Sequence, residues 1–126
     1  MQLRNNLYTV TGKEIGEETT RFAIQLTPSC FIYQAHFPGE PVTPGVCIVQ
    51  IGKELLEDML HQSLEISMVK NVKFLSPISP EETTSIEYKI GKMTLFDDGT
   101  VKAQIVVSAE TGVKAKISLV CKEYGD

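Results

Sequence analysis

His36 opens the stretch HFPGEPVTPGVCIVQ, which carries prolines at 38, 41 and 44. Imidazole is the side chain whose ordinary pKa lies closest to neutrality, so it can both take and return a proton under physiological conditions. The prolines lock φ and stiffen the loop that holds it. The apolar run after Pro44 has the look of a buried helix, and the first amides of a helix have no intrahelical partner. Gly45 has no side chain, so a carbonyl oxygen could approach its N–H closely, at a point where the helix dipole favours negative charge. A base beside a carbonyl-polarising amide is equipment for removing a proton α to a carbonyl. A second proton-carrying group would complete such a site, and the apolar run offers none. Position 50 holds a glutamine, which has no titratable proton and can only hydrogen-bond or orient a water. Glu54 follows one helical turn later and could reach the same cavity, although Lys53, Glu57 and Asp58 around it suggest an ordinary solvated face. His61 reads as solvated, and Cys47 as a small core residue.

The elements that must position these groups follow from periodicity. Residues 44–61 read as one long helix, with Thr43 as N-cap and Pro44 at the first helical position. Ile48, Ile51, Leu55, Leu56, Met59 and Leu60 share one side, and Lys53, Glu54, Glu57, Asp58 and His61 the other. Val46 to Ile51 are apolar apart from Gln50, which predicts an N-terminal half buried nearly all round. Most of the remaining chain alternates with a period of two: 21–26, 85–90, 101–109 and 113–121, the last with Lys114, Lys116 and Lys122 facing out. Another strand is expected over 64–75. Asp97-Asp98-Gly99-Thr100 and Glu110-Thr111-Gly112 are turn signals between neighbours. The pattern is that of antiparallel strands with one wet face, an α+β chain in which a curved sheet wraps one central helix.

The segment YQAHFPGEPVTPGVCIVQ resembles the active-site segment of the 3-hydroxyacyl-acyl-carrier-protein dehydratases, proteins of the hotdog fold. Their pattern, His-Phe-Pro-Gly-x-Pro-x-x-Pro-Gly-Val, is matched by His36, Phe37, Pro38, Gly39, Pro41, Pro44, Gly45 and Val46. The resemblance implies His36 as acid/base, the Gly45 amide as oxyanion donor, and Tyr33, Phe37, Pro44 and Val46 along the substrate path. It also implies a dimer, with His36 of one chain meeting position 50 of the other. Gln50 departs from the family, whose residue there is Glu or Asp. Family members often carry glutamine four residues on, where this chain has Glu54.

Chain-wide quantities bound the function. With 126 residues, one domain spanning 1–126 is expected. A net charge of −4 argues against general nucleic-acid binding. No apolar stretch approaches a membrane span or a signal-peptide core, which points to the cytoplasm. Cys30, Cys47 and Cys121 have neither disulfide-framework nor zinc spacing, and no metal or cofactor is implied. The substrate would be a thioester of acyl carrier protein or of coenzyme A. Carrier protein is acidic, so its docking needs a local basic patch, for which Lys70 and Lys73 are candidates. The leading expectation is a dehydratase of fatty-acid or polyene-type biosynthesis, acting as a homodimer or larger homo-oligomer. A hotdog acyl thioesterase and a catalytically weak acyl-thioester-binding subunit are the alternatives.

Overall fold

The computed structural model describes residues 2–35 and 39–124. Its elements run β1 (Tyr8–Ile15), β2 (Thr19–Leu26), α1 (Phe31–Ala35), α2 (Gly45–Leu60), β3 (Leu64–Phe74), β4 (Ser85–Leu95), β5 (Val101–Ala109) and β6 (Gly112–Glu123). The strands form one antiparallel sheet in the order β1-β2-β4-β5-β6-β3. The alternation that predicted them is the burial pattern they show: Ile86, Tyr88 and Ile90 are buried, as are Val101, Ala103, Ile105 and Val107. The two turn signals join β4 to β5 and β5 to β6, with Gly99 at φ +88° and Gly112 at φ +135°, where a Cβ would be strained.

Helix α2 lies against the inner face. The Tyr88 hydroxyl of β4 donates to the Ile48 carbonyl at 2.8 Å. A Cβ at Gly52 would stand 2.9 Å from Ile105 of β5 and 3.8 Å from Leu119 of β6, so the glycine lets helix and sheet approach closely. Tyr8 of β1 reaches Glu54, and the Phe74 ring of β3 covers Gly45. One helix thus touches strands from both edges and the middle of the sheet, which is the wrapped α+β architecture expected. Leu55 and Leu56 are fully buried between them, each contributing about 1.5–3 kcal/mol.

Four local expectations are corrected. Pro44, not Thr43, occupies the N-cap, with extended backbone and no side-chain cap. The helix ends at Leu60, and His61 turns left-handed at φ 54° to stop it. Val46 is 69% exposed, so the helix start is open on one side rather than enclosed. In β6, a register shift opposite Val107 and Ser108 turns Lys114 inward, 6% exposed, and leaves Val113 outside. A bulge reverses the inside–outside alternation on its far side.

Candidate active site at the start of the long helix

The loop leading into α2 is tied at both ends. Tyr33 on α1 is buried, and its hydroxyl lies 2.8 Å from the Thr43 hydroxyl. Thr43 also donates its N–H to the Ile78 carbonyl at 2.8 Å. Burial raises the Tyr33 phenol above its ordinary range, with the Thr43 bond pulling the other way. Tyr33, expected along the substrate path, is therefore engaged inside the protein as a brace. His36 and Phe37, expected as base and substrate contact, lie outside the described residues. The brace joins the two sides of the segment that carries them.

At the helix start, the Pro44 carbonyl accepts from Cys47 and Ile48. The amides of Gly45 and Val46 have no hydrogen-bond partner among the described residues. A Cβ at Gly45 would meet the Phe74 ring at 2.8 Å, so the ring lies directly over the glycine. The site's two sequence-predicted helical groups point differently. Gly45 and Gln50 are five residues apart, about 140° around the helix and roughly 7.5 Å along it.

Glu54 is not on a solvated face. It is 4% exposed and sits in a cage of donors. Its Oε1 accepts from the Arg4 amide at 2.8 Å and the Tyr8 hydroxyl at 2.9 Å. Its Oε2 accepts from the Leu3 amide at 2.8 Å and Gln50 Nε2 at 3.0 Å. Burial first, then the Glu54 carboxylate beside it, push the Tyr8 hydroxyl far above its ordinary pKa, so it remains a donor. Asp58 extends the same latch, accepting from Lys13 and Arg4 at 2.8 Å each. Those two hydrogen bonds, Lys13 first, hold its carboxyl below the usual range. Gln50 itself borders an open depression of about 480 Å³ shared with Lys53, Glu57, Leu64, Ile66 and Tyr124.

The carrier-facing candidates Lys70 and Lys73 are exposed on the edge strand β3. They belong to a larger feature that only the strand order assembles. Lys70, Lys92 and Lys102 border a cavity of about 560 Å³, and Lys73 and Lys116 border a second of about 270 Å³. The two share Asn71, Gln104 and Ser118, and no carboxylate lines either. Lys70 sits at a bulge of β3, and Lys92 is left-handed at φ 47° within a register shift of β4. Among the described residues, no group of His, Cys, Asp and Glu could hold a metal ion, and no helix is long and apolar enough to cross a membrane.

Comparison with known proteins extends these findings. A family model described as ApeI-like, ApeI dehydratase, matches residues 12–110. A 3-hydroxyacyl-acyl-carrier-protein dehydratase, FabZ, of Wolbachia sp. subsp. Drosophila simulans is 31% identical over 97 residues, covering 68% of this chain and 64% of its own. The chain spans less than two thirds of the length of the curated relatives it matches. Among solved structures, the dehydratase heterocomplex ApeI:P from Xenorhabdus doucetiae is similar, with TM-score 0.68 at 17% identity, covering 90% of this chain and 96% of that one. A thioesterase of Haemophilus influenzae reaches TM-score 0.63 at 12% identity, covering 94% and 79%. These likenesses establish the hotdog fold.

Proposed function

The chain belongs to the ApeI-like dehydratase family, and on that footing we propose that it interconverts 3-hydroxyacyl and enoyl thioesters, using one histidine for both proton transfers. The observation that carries this reading is the Gly45 amide: a helix-terminal N–H with no partner among the described residues, beneath the Phe74 ring. A thioester carbonyl accepting from that N–H would be polarised, and its α-proton made more acidic. His36 takes that proton. The C–O bond at carbon 3 then breaks, His36 returns the proton to the departing hydroxyl, and water leaves with the double bond in place. Gln50 holds the 3-hydroxyl or an ordered water during the step. Tyr33 braces the loop, and Pro44, Val46 and Phe37 border the acyl path.

The site spans two chains in this reading. Gly45 and Gln50 face directions about 140° apart, so the helix start of one chain meets the Gln50 depression of another. The free edge β3 supports this, since Met68, Val69 and Phe74 are exposed along it and an apolar edge strand seeks pairing. The partner is a second copy, giving a homodimer. The similar ApeI:P structure is described as a heterocomplex, which makes a distinct second subunit the alternative. For the acyl carrier, the carboxylate-free lysine groove containing Lys70 and Lys73 favours the acidic carrier protein over coenzyme A.

A thioesterase reading has one specific support, a neutral amide able to orient water where the relatives' acid is expected. The products separate the readings. With 3-hydroxyacyl chains presented on carrier protein and on coenzyme A, the chain should yield the enoyl thioester, with lower KM for the carrier-linked form. Free acid and thiol would identify a thioesterase. Binding without turnover would identify a silent subunit.

A further inference from the structure

Resting on that reading of Gln50, we propose that Glu54 is a positioning residue which fixes the Gln50 amide with its carbonyl oxygen, not its NH2 group, presented to the site. Four donors converge on Glu54: the Leu3 and Arg4 amides, the Tyr8 hydroxyl and Gln50 Nε2. A carboxylate offers about four acceptor positions and no donor, so each is used. The two backbone amides cannot act as acceptors, and Tyr8 is held as a donor. Gln50 can satisfy Glu54 only with its NH2 group, because its oxygen would face another acceptor. The carbonyl oxygen is then the end of the amide turned away from Glu54.

The consequence is chemical. Gln50 works as a hydrogen-bond acceptor. It takes the hydrogen of the substrate's 3-hydroxyl, which leaves a lone pair of that oxygen open to the returning proton. An amide free to flip would donate to that oxygen half the time and compete with the proton it must receive. Leu3, Arg4 and Tyr8 lie 46 to 51 positions from Glu54 in the chain. The N-terminal segment is thus part of the support of Gln50. Glu54 cannot also serve as the missing acid without giving up one of its four bonds.

The test compares Glu54→Gln with a double variant that combines Gln50→Glu and Glu54→Gln. In the single variant the two amides can pair in either sense, and kcat should fall roughly 10- to 100-fold, as misoriented groups do, with KM little changed. In the double variant the new amide at position 54 donates to the new carboxylate at position 50. That carboxylate again presents an oxygen to the site, and kcat should recover to wild type or above. A merely structural Glu54 would leave the double variant no better than the single one, and that result, or a single variant within about twofold of wild type, overturns the proposal. The Gln50 side-chain amide resonance, assigned by its loss in Gln50→Glu, gives a readout independent of turnover. In wild type it should show the strongly hydrogen-bonded N–H that faces Glu54, and this signature should be lost in Glu54→Gln. If wild type dehydrates nothing, the proposed reaction falls, while this resonance still decides whether Glu54 holds the amide: an unchanged resonance overturns the positioning role.

Discussion

His36→Ala should lower dehydration of a 3-hydroxyacyl thioester by roughly 10²–10⁴-fold, the range in which a positioned acid–base group contributes. In relatives of the usual type a second ionisable group shares the work. Here position 50 is an amide, and Glu54 is buried with four donors on its oxygens. On the proposed mechanism one imidazole carries both proton transfers, and its loss should fall at the upper end of that range. Thioester binding, measured with a non-reactive analogue, should be nearly unchanged. Equal loss of binding and rate would mean that His36 shapes the pocket rather than moving protons.

Gly45→Val should be the next most damaging change, costing about 10²–10³ in kcat, as removal of an oxyanion donor does. The cause is access, since the amide itself remains. A Cβ at position 45 would stand 2.8 Å from the Phe74 ring, and the added methyls would occupy the approach to the N–H. Phe74 is half exposed, so its ring can swing away and the fold should tolerate the change. Adding Phe74→Ala separates the two effects. If crowding by the ring were the whole problem, the double variant would regain activity. If the valine itself blocks the carbonyl, it stays slow.

The parts of the fold that can be read from sequence are those whose partners lie nearby in the chain. Strands β4, β5 and β6 announce themselves because one face is wet and short Gly turns join them. The helix is legible from its apolar side and from Pro44. β1 is not, because YTVTGKEI has few apolar residues and forms a sheet edge. The five-residue α1 is too short to show a period. Simple alternation puts Lys114 outside, because a bulge is a property of register, which pairing with β5 decides. The environment of Glu54 is hidden for a deeper reason: its donors come from residues 3, 4, 8 and 50, and nothing beside position 54 marks it as buried. Its charged neighbours point to solvent, yet Asp58 is covered by Arg4 and Lys13. The lysine groove likewise exists only once β3 is placed beside β6. The motif from His36 to Val46 is legible as chemistry, while the brace between Tyr33 and Thr43 is not, since it depends on α1.

The central claim, that a single histidine performs the proton chemistry with Gln50 as a neutral aid, is tested most directly by the pH dependence of kcat/KM for wild type and Gln50→Glu. A base that must be neutral gives a rate rising with pH through the ordinary imidazole range, about 6.5, and then a plateau. Wild type should show this one limb. In Gln50→Glu the new carboxyl faces the Glu54 carboxylate 3.0 Å from the present amide, which holds it protonated above the usual carboxylate range, so this variant should add a second, falling limb as that acid ionises. A bell-shaped profile already present in wild type would show a second essential acid and contradict the account.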